Sequence, residues 1–380
     1  MGQMFSWRKG AVAVSASLVA VTAWAGTQAS QAPNGVPTAL MKKLTRGVNI
    51  TRWFGYVKPD DTALFENYLV EDDLQNFKRL HVTYVRLCVN PDLIYRNGTP
   101  DPTNLSFIDK GIEKLEKAGI AVIWDLHDNG QMKLDTPDHD QSGFIRFWEA
   151  LARHYKGKQE SSTVFELLNE PQFLKNPDAW YKLQTKAVAA IRAIDSARTI
   201  LVASTFWNSI DTMSQMTPLE EKNLIYSFHC YDPFRFTHQG ASWTGDEQKA
   251  MRDIPFPSSP EAVSAMIDKI PEQFRAGVLD YGKQRYDSKY LLNRLELAKT
   301  WGVRNHVPVL LGEFGAFPPV SPKDSRGRWF EGMRQAIDQL GLPNAIWGYD
   351  DALGLGREKT SDGKVHLDEV TLKHFYQVGN

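Results

Sequence analysis

Two stretches of the chain pair an apolar run with a terminal carboxylate. Residues 163–172 read Thr-Val-Phe-Glu-Leu-Leu-Asn-Glu-Pro-Gln. The run from Val164 to Leu168 has the length and composition of a buried strand. It stops at Asn169-Glu170-Pro171, since proline cannot donate to a sheet ladder and biases the residue before it toward extended geometry. Glu170 is therefore expected at the carboxyl end of a strand, carried on a rigid element. Alone, such a glutamate is equally well a solvated strand terminus. Residues 308–317, Pro-Val-Leu-Leu-Gly-Glu-Phe-Gly-Ala-Phe, repeat the pattern and end a second strand in Glu313. Two strand-end glutamates suggest paired carboxylates, the arrangement that cleaves a glycosidic bond by acid/base and nucleophilic chemistry.

Strands and amphipathic helices alternate along the rest of the sequence. Strands are expected to begin near Arg46, Val82, Ala121, Thr163, Thr199, Asn223, Pro308 and Asn344. Helical spacing of apolar residues marks 71–80, 107–118, 142–155, 177–194, 290–301 and 328–340, with a closing helix over 368–378. Gly119, Gly302 and Gly341 stand where helix C-caps belong. Eight strands in this rhythm give a (β/α)8 TIM barrel with one long insertion, roughly 234–289, after strand 6. In such a barrel the chemistry gathers where strands end, and there polar and aromatic residues recur: Arg86, His127, Asn169 with Glu170, His229 with Tyr231, Glu313 and Trp347. Singly, His127 and His229 read as hydrogen-bonded structural histidines, Arg86 as half of a buried ion pair and Trp347 as core. Trp53, Phe54, Trp207, Trp243 and Phe317 are either stacking platforms or ordinary packing. Asp350 and Asp351 either line the cleft or cap the last loop. The histidines lack a tight metal-ligand motif.

Taken together, the strand ends resemble glycoside hydrolase family 5, the endoglucanase-type family of the Asn-Glu-Pro barrel clan. The resemblance runs over residues 46–378, and its eight recurrent positions find matches in order at Arg86, His127, Asn169, Glu170, His229, Tyr231, Glu313 and Trp347. The tract Tyr-Asp-Pro-Phe-Arg-Phe-Thr-His-Gln-Gly-Ala-Ser-Trp, 231–243, is similar to one in some bacterial endoglucanases of that family. The resemblance implies Glu170 as general acid/base and Glu313 as nucleophile. Arg86 and Tyr231 would hold Glu313, and Asn169 would bind the sugar 2-hydroxyl. His127 and His229 would contact substrate or orient the carboxylates, and Trp347 would floor the subsite. It implies neither cofactor nor metal, and a cis peptide at Trp347-Gly348.

The substrate expected on this basis is a β-linked polysaccharide or oligosaccharide, with β-1,4-glucan first and mannan, xyloglucan or β-1,3-glucan as alternatives. A non-catalytic sugar-binding barrel would have lost a carboxylate, and both are present. A formal net charge of −1 over 380 residues points to neither nucleic acid nor an anionic membrane as partner. Arg8 and Lys9, the small apolar run 11–22 and Ala23-Trp24-Ala25 read as a signal peptide over 1–25. That makes the protein secreted or periplasmic, with no membrane attachment after removal; separately, it is expected to be a monomer. Residues 26–45, rich in Gln, Ser, Pro and Gly, read as a flexible leader, and 46–380 as one catalytic domain. Cys88 and Cys230 are expected as buried free thiols on strands far apart in the barrel, not as a disulfide.

Overall fold

The computed structural model describes residues 33–380 apart from 129–131, 137–140, 357–358, 361–362 and 379–380. The expected signal peptide lies outside the described residues. Eight parallel strands close into a barrel: β1 (Arg46–Phe54), β2 (Tyr84–Val89), β3 (Ala121–Leu126), β4 (Thr163–Glu166), β5 (Ile200–Ala203), β6 (Leu224–His229), β7 (Val309–Glu313) and β8 (Asn344–Ile346). Closure runs through the pairs Arg46↔Asn344, Gly47↔Ala345 and Val48↔Ile346. A small antiparallel ribbon, Tyr95–Arg96 with Thr99–Pro100, stands apart from the barrel.

The alternation of each strand separates two environments. Outward residues such as Ile50, Leu87, Trp124, Phe165 and Phe228 pack beneath the helices. Inward residues at the amino ends of the strands, among them Tyr84, Ile123, Val164, Leu201, Ile225 and Leu310, fill the barrel floor. Nearer the carboxyl ends the inward positions turn polar: Asn49, Arg86, Asp125 and Glu166 are all fully buried. The floor therefore supplies close packing, and the layer above it supplies chemistry.

The helices fall close to expectation, at Glu71–Arg79, Pro102–Lys117, Gln141–Tyr155, Pro177–Ile194, Ser288–Arg304 and Lys323–Leu340. Gly119 and Gly341 adopt positive φ just past their helices, as expected of C-caps. Gly302 does not. It lies within its helix, where a β-carbon would come within 2.7 Å of Val309 Cγ1, so its role is close helix–strand packing. The closing segment is shorter than expected, one turn at Glu369–Thr371 running into a π-helical turn over Leu372–Tyr376. Among the described residues no helix is long and apolar enough to cross a membrane.

The leader reading is corrected for the part described. Thr38–Lys43 is a helix, and Val36, Leu40 and Leu44 are completely buried against the barrel floor. Their four-residue spacing lays one apolar stripe over the open bottom of the barrel. Leu40→Ala is expected to lower the unfolding free energy by about 2–5 kcal/mol, the usual cost of a leucine-sized cavity in a packed core. Urea unfolding checks this; a loss under about 1 kcal/mol would mean the plug is only loosely seated.

Candidate active site

The carboxyl ends of the strands bring all eight sequence-matched residues into one cleft and its buried base. Arg86, fully buried on β2, lies at the centre. A guanidinium has five N–H donors in a planar fork, and five contacts use them. Nε and Nη2 donate to the two oxygens of Glu166, at 2.6 and 2.9 Å. Nη1 donates to Glu313 Oε1 at 2.6 Å and to Asn49 Oδ1 at 2.9 Å. Nη2 also donates to Asn169 Oδ1 at 2.9 Å. Asp125 Oδ2 sits 3.1 Å from Nη2, held mainly by charge.

These bonds fix the orientation of their partners. Because Asn169 turns its oxygen to Arg86, its Nδ2 faces the cleft, 3.5 Å from His127 Nε2, with its second N–H available there. Glu313 is clamped from the other side as well, where Tyr231 Oη donates to its Oε2 at 2.9 Å. The His229 ring bridges the two glutamates: its Nδ1 lies 3.0 Å from Glu170 Oε1 and 3.4 Å from Glu313 Oε2. Asn208 Nδ2 faces His229 Nε2 at 3.4 Å, which leaves the proton on Nδ1. Each carboxylate has an oxygen within 4.8 Å of one on the other. His127 donates through Nδ1 to Asp125 Oδ2 at 2.7 Å, accepts at Nε2 from Tyr56 Oη at 3.2 Å, and stacks on Trp347. Trp347, 7% exposed, floors the cleft, and its peptide bond to Gly348 is cis, as the resemblance implies.

Burial sets the protonation pattern. Desolvation lifts Glu170 to about 7, against the pull of His127 and Arg86. It also raises Glu313, with His229 and Arg86 opposing. Only Glu313 receives the direct Arg86 and Tyr231 bonds, so of the two it ionises first. Burial holds His229 at about 3 and His127 at about 4, which keeps both rings neutral at working pH. Beneath them desolvation lifts Asp125 to about 6 and Glu166 to about 7.

Glu170 departs from expectation in its backbone. Its φ is +45°, not extended. Pro171 bars right-handed helical geometry at this position, and the chain takes the left-handed region instead. The turn that follows contains a second such residue, Phe173 at φ +43°. The backbone N–H of Asn169 still donates to the Leu126 carbonyl at 2.9 Å, so the strand holds its neighbour up to the residue before the turn. Left-handed geometry costs a non-glycine residue roughly 1–2 kcal/mol, and sites of chemistry are where such strain collects.

The cleft has two lobes that meet at Glu170. One, of about 710 Å³, holds Tyr56, His127, Glu313, Phe317, Trp347 and Asp351. The other, of about 500 Å³, holds Phe206, Trp207, Asp211, His229, Phe234 and Arg294. Tyr231, His238 and Trp243 border both. The insertion after β6 supplies Phe234, His238 and Trp243, and so builds one wall of the cleft. Trp207 and Trp243 are 46% and 56% exposed, available for stacking on a sugar ring, and Phe317 packs edge-on against Trp243. Trp53 is not a platform. It is 2% exposed, donates through its indole to the Phe65 carbonyl and stacks on Phe54 and Tyr68 outside the barrel. The strand register slips between Ile50 and Phe54, which upsets the alternation that would have aimed Trp53 inward. Asp350 and Asp351 divide the two roles open to them. Asp350 is buried and accepts from the backbone of Thr51 and Arg52 and from Tyr68 Oη, while Asp351 lines the cleft. Cys88 and Cys230 are free and buried, Cys88 beside Trp347 and Cys230 in the outer shell under the helices.

Among the described residues two groups have donor atoms close enough to hold a metal: Cys88 with Asp125 and His127, and Glu170 with His229 and Glu313. In both, Arg86 lies against a carboxylate, so a cation would have to share that position with a fixed positive charge. Sequence reading passed over Asn49, Tyr56, Glu166 and His238. For Asn49 and Glu166 the signal was a polar side chain at an inward position of an otherwise apolar strand.

A closed parallel barrel whose strand ends bring a buried glutamate, Glu313, face to face with a half-buried one, Glu170, across an open cleft has the architecture of a glycosidase. The description "Cellulase (glycosyl hydrolase family 5)" matches residues 43–352, and the chain belongs to that family. It is 30% identical over 342 residues to Endoglucanase 3 of Fibrobacter succinogenes, covering 83% of this chain and 51% of that protein. It is 25% identical over 322 residues to Endoglucanase C of Acetivibrio thermocellus, covering 81% and 92%. The chain thus spans about half the length of the Fibrobacter protein and nearly all of the Acetivibrio one. Among solved structures, Thermotoga maritima Cel5A with a cellobiose substrate superposes with a TM-score of 0.71 at 23% identity, covering 90% of this chain and 99% of that one.

Proposed function

We propose that this chain is an exported, monomeric endo-β-1,4-glucanase that works by double displacement with retention at the anomeric carbon. The observation that carries the reading is the approach of Glu170 and Glu313, with one oxygen of each within 4.8 Å of the other. That close approach supports a retaining pair, at about 5–5.5 Å between carboxyl groups, over the wider separation of an inverting one. Glu313 attacks the anomeric carbon while Glu170 protonates the departing oxygen, giving a glycosyl ester and a free sugar end. Glu170, now ionised, takes a proton from water, and the water oxygen displaces Glu313. Asn169 Nδ2 meets the sugar 2-hydroxyl, Trp347 supports the attacked ring, and His229 keeps the two carboxylates in register.

The reading fixes a pH dependence. Glu170 must carry its proton in the first step, and its acidity lies at about 7. On a natural glucan, kcat/KM is expected to fall as pH rises through about 7, and to fall at low pH as Glu313 becomes protonated. With a dinitrophenyl leaving group that needs no proton, the alkaline fall should vanish from the glycosylation step. An alkaline limb unchanged by the leaving group would take the acid role away from Glu170.

A second polymer is favoured by one observation. Thermotoga maritima Cel5A, matched here at a TM-score of 0.67, was also solved with mannotriose. Soluble β-1,4-glucan, glucomannan, mannan, xyloglucan and β-1,3-glucan, each assayed for new reducing ends, decide between the readings. The highest kcat/KM is expected on β-1,4-glucan; a higher value on mannan would reassign the substrate and leave the chemistry in place.

A further inference from the structure

The layer beneath the cleft holds one more charged residue than the proposed chemistry uses. Glu166 is fully buried on β4, level with Asp125 on β3 and Leu201 on β5. It takes two of Arg86's five N–H groups; the other three go to Glu313, Asn49 and Asn169, with Asp125 Oδ2 3.1 Å from Nη2. A planar fork held along one edge cannot rotate, so the other N–H groups have a single aim. We propose that Glu166 is a positioning residue for the reaction read above, gripping the Nε–Nη2 edge of Arg86 so that Nη1 meets Glu313 and Nη2 turns the Asn169 amide toward substrate. The proposal rests on that reading of Glu170 and Glu313.

Its charge matters as much as its shape. Arg86 is the cation of the layer, because burial keeps His127 and His229 neutral. Against it stand Asp125, Glu166 and Glu313, with Glu170 above. The titratable groups facing Glu166 are Arg86, Tyr84 and Cys88 on β2, Asp125 on β3, His127 just past the end of β3, and Glu170 beyond β4. More negative charge than one guanidinium can balance, in a dry layer, favours keeping a proton within the cluster. Glu170, the member open to the cleft, is the one positioned to hand its proton to substrate.

Three variants test this, each measured for kcat, KM and pH profile, with thermal unfolding as a check on folding. Glu166→Gln keeps the shape but removes the charge, and presents an amide N–H₂ to a donor. It should lower kcat/KM about 10- to 100-fold, mainly in kcat, and move the alkaline limb of the pH profile to lower pH, because above about 7 Glu170 loses a repulsive neighbour. Glu166→Asp keeps the charge and withdraws the carboxylate by one methylene. It should lower kcat while leaving the limbs in place, and it decides the positioning role if the Gln variant does not fold. Wild-type kcat in Glu166→Asp, or a Gln variant with an unmoved alkaline limb, overturns the proposal. Glu313→Ala, run alongside, separates the two failures: if it retains turnover, the catalytic reading itself falls; if it is dead while both Glu166 variants match wild type, only the positioning role falls.

Discussion

Glu313→Ala is expected to lose turnover by a factor on the order of 10⁴ or more, as removal of a covalent nucleophile does, and to regain it in azide with inverted product. The alanine leaves a hole below the anomeric carbon, between Arg86 and Tyr231. Azide can enter that hole and attack an activated β-glycoside once, yielding the α-glycosyl azide. Glu170→Ala should behave differently on the same reagents. A leaving group that needs no proton still departs, Glu313 still forms its ester, and the reaction then stalls for want of a base. Azide needs no base, so it should release the ester from the opposite face as the β-glycosyl azide. Product anomers read by NMR distinguish the two mutants. Exchanged anomers would swap the roles, and wild-type turnover in either mutant would remove that glutamate from the chemistry.

Arg86→Met is expected to cost about 3–5 kcal/mol of stability at neutral pH, the usual penalty for leaving buried charge uncompensated. The size of the loss should depend on pH. Asp125 and Glu166 are already lifted to about 6 and 7 by burial, with Arg86 holding them down. Without Arg86 they rise further. A carboxyl that is a weaker acid folded than unfolded binds its proton in the native state, so its contribution to stability is lost as pH rises through the folded value. The deficit of the mutant should therefore be smaller at pH 5 than at pH 8. Urea titrations at the two pH values measure it. An equal deficit at both would mean that packing, rather than charge, is what Arg86 supplies. Turnover should fall as well, since Glu313 and Asn169 both lose their anchor.

The barrel was legible because eight short apolar runs each end in a polar or aromatic residue, and helices with one apolar stripe lie between them. The site was legible for the same reason: Glu170, His229, Glu313 and Trp347 stand where an apolar strand would otherwise simply turn. What escaped followed from local irregularity or from longer-range contacts. Trp53 was aimed inward by an alternation that a register slip at the end of β1 upsets. The left-handed turn at Glu170 depends on steric limits that leave more than one outcome before proline. Tyr56 and His238 reach the cleft from loops whose course no periodicity encodes. Glu166 stood in plain view within Phe-Glu-Leu-Leu, but its meaning depends on Arg86, which is 80 residues away in sequence and reached only through the closed barrel. The plug at Val36, Leu40 and Leu44 has an evident stripe, obscured by the polar composition that precedes it.

That plug also bears on the order of assembly. Its bed is made by side chains from strands all around the barrel, the last of them Ala345 on β8. The pairing that closes the ring, Gly47 with Ala345, joins positions nearly a full chain apart. Loop closure over such a distance must be met before the contacts that reward it exist, which makes assembly of this kind slow and late to commit. The plug precedes all eight strands in sequence and is therefore made before its bed, yet it is among the last parts to find its place. Until the final strand has been added, the bottom of the barrel presents a ring of apolar residues with nothing to cover it, and it is in that interval that the chain is most exposed to aggregation.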